Sequence, residues 1–158
     1  MDKRNQIGLN NNKIQELSEK LNKLLATYSV FYQNTRGFHW NIKGEFFFEL
    51  HEKFEELYND LLIKIDEIAE RMLTLGAIPE HNYSKYLKMS EVKESAYITD
   101  GIQASENILS SLKTIITLQR ELLSISDDVN DEGTNALMSD YISTQEKLVW
   151  MYAAFLNK

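Results

Sequence analysis

Two pairs of side chains that could bind a metal ion are each spaced four residues apart in one stretch of the sequence. His51 pairs with Glu55, and Asp66 pairs with Glu70, inside residues 44–76, where no proline and no internal glycine occurs. Because four residues along a helix return to nearly the same face, each pair can offer two ligands to one ion. Imidazole combined with carboxylate suits a borderline ion such as iron(II), whereas calcium and magnesium prefer oxygen ligands alone.

The distance between the two pairs prevents them from holding the same ion within one chain. His51 and Asp66 are fifteen residues apart, which is about 22 Å along a helix. Metal–ligand bonds are only about 2.0–2.6 Å long. A second copy of this helix, packed antiparallel across a two-fold axis, would bring one pair against the other, and symmetry would give two identical sites. The spacing therefore predicts a metal centre shared by two chains.

Each candidate ligand also has an ordinary structural explanation. Carboxylates on helices are usually solvated, and His39, next to Trp40, could be a corner histidine with a satisfied hydrogen bond. The joint pattern favours a site, because the four helical candidates fall within one stripe of about 100° beside the apolar seam. Lys53, Lys64 and Arg71 fall on the other side of the same helical wheel. From spacing alone, the metal site and the solvated surface remain alternatives.

The composition limits the classes of protein to consider. A chain of 158 residues with 43% hydrophobic and 26% charged residues suits one globular domain. Six glycines and one proline favour long helices, and the lack of cysteine excludes disulfides, zinc–thiolate sites and thiol catalysis. We expect a cytoplasmic protein, since no secretory or membrane-spanning segment is apparent. The net charge of −7 should repel DNA.

Apolar residues spaced three and four apart predict four long helices and one short one. The long helices are expected over about residues 12–37, 45–75, 100–124 and 132–156, and the short one over residues 84–89. Asn11 or Asn12 is expected to cap the first helix and Gly37 to end it, which leaves His39 and Trp40 at a corner.

Later helix ends carry similar signals. Gly76 is predicted to end the second helix, and either Thr99 or Asp100 to cap the third. Tyr86 and Leu87 are expected to pack inward from the short helix. These signals fix the approximate lengths of the connections between the helices.

The lengths of those connections predict how the helices are arranged. The links at residues 38–44 and 125–131 are short, and the second of them reads as a tight acidic turn, whereas the link at residues 77–99 is long. Short links join antiparallel neighbours, and a long one can cross the bundle and join parallel helices. The predicted fold is therefore all-α, a ferritin-like four-helix bundle with a long crossover between helices 2 and 3 that carries a short helix.

The first residues are predicted to lie outside the bundle. Residues 1–10 are polar and are expected to form a flexible N-terminal tail, ahead of a bundle domain over residues 11–158. Lys3 and Arg4 could form a DNA-binding arm, but two charges neutralise few phosphates, so a solvated tail is the favoured interpretation.

Several stretches of the chain resemble the Dps proteins, or mini-ferritins. They are the run YQNTRGFHWNIKGEFFFELHEKFEELYNDLLIKIDEIAER, the LGAIP stop, the YLKMSEVKE connector and the closing EKLVWMYAAFL. The resemblance implies a hollow dodecamer that oxidises iron(II), preferentially with hydrogen peroxide, and stores iron(III) as mineral. It also implies that one subunit supplies His39, His51 and Glu55 to the ferroxidase centre, and that its partner supplies Asp66 and Glu70.

The chain departs from the family pattern at one ligand. Dps proteins usually have Asp where this chain has Glu55, so the carboxylate lies about one methylene further out, which affects the second iron position. The resemblance also suggests Trp40 as an electron donor, with a packing role at a dimer contact as the alternative. A larger ferritin of 24 subunits is disfavoured, because neither the third nor the fourth predicted helix contains a histidine.

Acidic residues near the last helix are candidates for a pore through which iron enters. In this family such residues line a three-fold axis, where a negative funnel would concentrate iron(II). The local candidates are Asp127, Asp128, Asp131, Glu132 and Asp140. The alternative is a solvated turn in which Asp131 caps the last helix.

DNA is the remaining partner to weigh. Some Dps proteins bind DNA through a lysine-rich tail, which this chain lacks, and twelve chains of charge −7 would form a shell of −84. We expect DNA binding to be weak or absent at physiological salt. The alternative function is a DNA-coating protective protein with incidental iron binding, in which case it would associate with the bacterial nucleoid.

Overall fold

Five α-helices account for most of the chain in the computed structural model, which describes residues 3–158. They are α1 (Ile14–Asn41), α2 (Phe47–Thr74), α3 (Tyr83–Met89), α4 (Gly101–Asp128) and α5 (Glu132–Phe155). Outside them, β-type pairing within the described residues is limited to two isolated bridges, Arg4 with Asn10 and Lys43 with Asp100. The predicted all-α fold, with four long helices and a short one on the crossover, is confirmed.

The four long helices pack around one apolar core. α1 packs against α2 and α4, α4 packs against α5, and the short α3 lies on α1. Apolar residues at helical spacing fill the centre, and each fully buried large side chain contributes about 1.5–3 kcal/mol. The largest fully buried side chains include Tyr28, Phe31, Phe54, Leu61 and Met72. The core seam predicted for α2 is confirmed, and it leaves the opposite side of that helix at the surface.

The first helix runs one turn further than predicted. Gly37 lies inside α1, which ends at Asn41, where Ile42 takes an extended conformation with φ −62° and ψ 148°. A glycine inside a helix costs only about 1 kcal/mol, and the burial of its neighbours outweighs that cost. His39 and Trp40 therefore lie in the last turn of α1, and their predicted corner position is wrong.

The link that follows α1 is tied to the start of α4. The Lys43 amide donates to the Thr99 carbonyl at 2.8 Å, and Gly44 adopts a φ of +100°, which favours glycine. A Cβ on Gly101 would lie 2.5 Å from Leu50 Cδ1. This close approach fixes the position at which α2 begins.

Two of the predicted helix ends are confirmed. Gly76 has a φ of +84°, and the next amide, that of Ala77, donates to the Met72 carbonyl at 2.9 Å, which closes α2. Asp100 caps α4, since its carboxylate accepts a 2.8 Å hydrogen bond from the Gln103 amide.

Other predicted boundaries are wrong. The N-cap of α1 is Lys13, without a side-chain hydrogen bond, rather than Asn11 or Asn12. α4 continues to Asp128, so the acidic turn is shorter than residues 125–131, because Ser126 is fully buried and keeps that turn of helix against the core.

In the crossover, only one of the two predicted inward residues is in the core. Tyr86 packs against the core and its hydroxyl donates to the Glu80 carbonyl at 2.7 Å, whereas Leu87 is exposed. Adjacent side chains on an α-helix point about 100° apart, so α3 turns Tyr86 inward and leaves Leu87 in solvent.

Residues 3–10 form a turn that contacts the end of α2. The Asn5 amide donates to the Leu9 carbonyl at 2.7 Å, and the Asn5 side chain donates to the Leu75 carbonyl at 3.2 Å. Residues 1 and 2 of the predicted tail lie outside the described residues, and the domain boundary at residue 10 stays a prediction. No helix in the described part of the chain is long and apolar enough to cross a bilayer.

Candidate metal centre

Two histidines from different helices hold each other in place. The Nδ1 atom of His39, in the last turn of α1, lies 2.6 Å from the His51 carbonyl, and the Nδ1 atom of His51 lies 2.8 Å from the His39 carbonyl. Because a carbonyl oxygen only accepts hydrogen bonds, each Nδ1 must carry the proton. In the neutral imidazole this assigns the tautomer of both rings and leaves a lone pair on each Nε2, the form that binds metals.

Aromatic side chains pack around this histidine pair. The His39 and His51 rings are stacked, with their centroids 3.8 Å apart and 12° between the ring planes. The Phe47 ring stacks on His51 at a centroid distance of 4.9 Å, and the Tyr58 ring meets His39 edge-on at 5.3 Å. His39 is buried and His51 is partly exposed. These contacts restrict the orientation of the rings, so the protein itself orients the two candidate nitrogen ligands.

The three candidate carboxylates lie on the exposed side of α2. Glu55 follows His51 by one turn, and Asp66 and Glu70 are one turn apart nearer the end of the helix. In residues 3–158, no salt bridge holds any of these three side chains. They are therefore available either to a metal ion or to solvent, the two alternatives that the sequence left open.

One chain does not assemble these ligands into a complete site. Within the described residues, no group of three or more His, Cys, Asp or Glu side chains could hold a metal ion. His51 and Asp66 lie on the same 28-residue helix, separated by about 22 Å. The candidate ligands of the chain therefore lie in two separate groups, one at the start and one toward the end of α2.

The basic residues of α2 turn toward α5 or stay in solvent. Lys64 is buried, pairs with Asp60 at 2.5 Å and lies 5.2 Å from the centre of the Tyr141 ring. Arg71 donates to Asp131 at 2.5 Å. Lys53 is exposed and pairs at 2.9 Å with Glu56, three residues further along the same helix. None of these cations pairs with a candidate ligand.

Asp131, one of the pore candidates, is buried and caps a helix. It is 2% exposed, accepts from the Thr134 amide at 3.2 Å and from the Thr134 hydroxyl at 2.5 Å, and pairs with Arg71. Its carboxylate caps α5, as in the predicted alternative, but Asp131 is buried and not part of a solvated turn. The other four candidates, Asp127, Asp128, Glu132 and Asp140, are exposed, and their role in a pore stays a prediction.

The bundle interior is occupied by a neutral hydrogen-bonded ring. The Tyr28 hydroxyl donates to Gln119 at 2.6 Å, Gln119 donates to Gln145 at 2.7 Å, and Gln145 donates back to the Tyr28 hydroxyl at 2.6 Å. Burial raises the pKa of Tyr28. A metal centre inside the bundle would need carboxylates and histidines from facing helices, which disfavours the alternative of a single-chain ferritin site.

Trp40 lies near the histidine pair in sequence but is mostly at the surface. It is 56% exposed, and the Arg36 guanidinium lies 4.8 Å from the centre of its ring. Neither the predicted electron-donor role nor the alternative packing role is decided by this position. Spacing marks Tyr141 only as a core residue, but its hydroxyl donates a 2.5 Å hydrogen bond to Glu67, a contact that residue spacing does not predict. A buried hydroxyl needs an acceptor, and that was the available signal.

Comparison with known proteins places the chain in a family. The model of the Ferritin-like domain matches residues 18–158. An uncharacterized protein of Haemophilus influenzae is 53% identical over 148 residues, covering 94% of this chain and 92% of its own length. The DNA protection during starvation protein of Porphyromonas gingivalis is 43% identical over 151 residues, covering 96% and 95%.

Solved structures agree with this similarity. The crystal structure of the Vibrio cholerae O1 Dps protein, described as a member of a superfamily of ferritin-like diiron-carboxylate proteins, superposes with a TM-score of 0.96 at 51% identity, over 99% of this chain and 98% of that one. Dps of Listeria monocytogenes superposes with a TM-score of 0.87 at 30% identity, over 90% and 94%. The predicted ferritin-like topology is therefore confirmed.

Proposed function

The chain belongs to the Dps family of ferritin-like proteins, and we propose that it oxidises iron(II) at a centre shared by two subunits and stores the iron(III) product. Membership of a ferritin-like diiron-carboxylate family supports iron storage and stress protection in general. The identity of the ligands, the oxidant and the assembly are the specific parts of the proposal.

The observation that carries the proposal is the reciprocal contact between His39 and His51. It commits both Nδ1 atoms to backbone carbonyls, at 2.6 and 2.8 Å, and leaves both Nε2 atoms free. Two solvated surface histidines would have no reason to be fixed in the same metal-binding tautomer. Within the described residues no complete ligand group forms in one chain, which supports a contribution from a second one.

Each ligand has a distinct role in this proposal. His39 and His51 of one subunit provide nitrogen, and Asp66 and Glu70 of its partner hold the more tightly bound iron. Glu55 completes the second iron position. Iron is the substrate here, and carboxylate ligands favour the iron(III) product because a hard oxygen ligand stabilises the higher charge.

The proposed reaction uses hydrogen peroxide as the preferred oxidant. Two iron(II) ions supply two electrons which, with two protons from solvent, reduce one hydrogen peroxide to two waters, so no one-electron oxygen radical is released. The iron(III) formed is stored as mineral in a hollow shell of twelve subunits. The exposed carboxylates Asp127, Asp128, Glu132 and Asp140 are proposed to attract iron(II) to pores in that shell. We place this activity in the bacterial cytoplasm.

The test is iron(II) oxidation with peroxide and with oxygen, followed by absorbance of the iron(III) product. We expect His39→Ala and Asp66→Ala each to lower the rate by about 10- to 100-fold, the usual cost of disturbing metal ligation. His81→Ala and Glu106→Ala are matched controls, because both side chains are exposed and lie outside the proposed centre. Unchanged rates in both ligand variants would refute the assignment.

A further inference from the structure

A half-buried arginine on α1 faces a groove that borders the proposed centre. The groove has a volume of about 800 Å³ and is lined by α1, by Leu62 and Ile65 of α2, and by the crossover. Arg36 lines it between two aromatic rings: its guanidinium lies 5.3 Å from the centre of the Tyr32 ring and 4.8 Å from that of the Trp40 ring. The attraction between the cation and both rings restricts the orientation of the guanidinium.

The charge of Arg36 has no partner of opposite sign within one chain. Its guanidinium donates one hydrogen bond, of 3.4 Å, to the Gln33 side chain, and in residues 3–158 no salt bridge includes it. A guanidinium has five N–H donors, in a geometry that binds a carboxylate at two points. An oriented guanidinium without an anion is therefore suited to a carboxylate that another molecule supplies.

Two ring contacts between α1 and α2 locate Arg36 along the length of α2. The centre of the Phe38 ring lies 6.3 Å from that of Phe54. The centre of the Tyr32 ring lies 6.0 Å from that of Tyr58. Because Arg36 falls between these two contacts in α1, it is level with the turn of α2 that lies between them, and that turn carries one of the candidate ligands.

The proposed pairing of two copies of α2 sets the carboxylate of this turn, Glu55, opposite Asp66 of the other chain. Leu62 lies between the two groups of ligands, about 20° from His51 around the helix. It is 48% exposed and also lines the groove. The groove is therefore continuous with the surface that a second copy covers, and Asp66 of the partner subunit is level with Arg36. Two-fold symmetry makes this contact twice in each dimer.

We propose that a second copy of this chain docks on the groove and that Arg36 pairs with Asp66 of the partner subunit, which positions that ligand. This inference rests on the proposed function, because the shared centre requires the two chains to meet there. A carboxylate has two oxygens, so one can stay with Arg36 while the other binds iron(II). Arg36 contacts no reacting atom and is a positioning residue.

The charges of the proposed centre explain why such a cation is needed. Without metal, docking brings together three carboxylates, those of Glu55, Asp66 and Glu70, with two neutral imidazoles. Like charges repel, and the repulsion grows as the contact excludes water. Arg36 offsets one of the three negative charges. Bound metal ions offset them as well, so the contribution of Arg36 to docking should be largest in the metal-free protein.

The test measures association of Arg36→Gln by sedimentation velocity over a range of protein concentrations, with EDTA and with cobalt(II). In EDTA we expect the dissociation constant to rise at least about tenfold, because a charge pair loses one partner. Cobalt(II) should restore most of the association, and Arg36→Lys, which keeps the charge, should lose less of it. Lys13→Gln is the control, because this exposed cation lies at the other end of α1, outside the groove.

A double-mutant cycle in EDTA identifies the partner of Arg36. Asp66→Asn removes the charge that Arg36 is proposed to bind, so Arg36→Gln should have little further effect on association in that background. In a Glu49→Gln background the effect of Arg36→Gln should be unchanged, because Glu49 is an exposed carboxylate of α2 outside the proposed centre. Additive effects of Arg36→Gln and Asp66→Asn, or a loss of association that cobalt(II) does not relieve, would overturn the proposal.

These measurements use no iron, which separates the docking contact from the function on which it rests. If the ligand variants oxidise iron(II) at the wild-type rate while the cycle shows coupling, the ferroxidase assignment is wrong and the contact between Arg36 and Asp66 stands. If His39→Ala and Asp66→Ala lower the rate as expected while Arg36→Gln associates like the wild type, the role of Arg36 is refuted and the ferroxidase assignment is kept.

Discussion

The Nδ1 atoms of His39 and His51 each form a hydrogen bond with the backbone carbonyl of the other residue, so each histidine fixes the orientation of the other's ring. The contact joins the last turn of α1 to the first turns of α2. A change in either residue should therefore affect both the metal-binding nitrogen that remains and the contact between the two helices.

We expect His39→Ala to lower the free energy of unfolding of the metal-free protein by about 1–3 kcal/mol, because a hydrogen bond is lost and a buried partner is left unsatisfied. Adding His51→Ala should cost less than the sum of the two single changes, with a coupling of about 1 kcal/mol. Denaturant unfolding at one fixed protein concentration measures both values. Strict additivity would show that the two rings do not depend on each other.

Mixing two inactive variants tests whether the centre is shared. In a dimer of one His39→Ala chain and one Asp66→Ala chain, one centre has lost ligands from both chains and the other centre is intact. Random co-assembly should therefore restore about a quarter of the wild-type centres. Iron(II) oxidation by the co-expressed variants measures the restoration. If each centre lay within one chain, co-assembly would restore no activity.

Glu55→Asp tests the one departure from the family pattern. The shorter side chain should bring the carboxylate back toward the His51 side of the centre and strengthen binding of the second metal ion, by about tenfold on the scale of metal-site changes. Titration with cobalt(II), followed by its visible absorption, reports the number and affinity of sites without oxidation. Identical titrations for the two proteins would mean that Glu55 does not contact the second ion.

Gly133→Ala should destabilise the start of α5. An added Cβ would lie 2.5–2.7 Å from the Arg71 guanidinium and would displace it from Asp131. We expect the free energy of unfolding to fall by about 1–2 kcal/mol, because a partly buried charge pair is disturbed. Gly37→Ala is the matched control: nothing lies within 4 Å of its Cβ, so it should instead stabilise the helix by about 0.5–1 kcal/mol.

DNA binding should be weak at physiological salt. The chain carries a net charge of −7, and the ionic attraction that drives non-specific binding needs many phosphates neutralised at once. A gel-shift titration at about 0.15 M salt should show no compact complex. Salt-sensitive complexes without iron uptake would instead favour the DNA-coating alternative.

The sequence determined those features of the protein that depend on near neighbours in the chain. The repeat of apolar residues fixed the number and type of the helices, and the four-residue spacing of His51 with Glu55 and of Asp66 with Glu70 placed these candidates on one exposed side of α2. Residue spacing and helix rise were enough for this, because both are local properties. The cap at Asp100 and the stop at Gly76 were predicted for the same reason.

Only the tertiary structure decided the features that depend on contacts between distant residues. Gly37 is a helix-end signal in the sequence, but α1 packs against the bundle and continues past it to Asn41. The tautomers of His39 and His51 follow from carbonyls twelve residues away, and the pairing of Tyr141 with Glu67 spans 74 residues. No local sequence pattern predicts such pairs, because the hydrogen-bond partner of a buried polar atom depends on which residues the fold brings close to it.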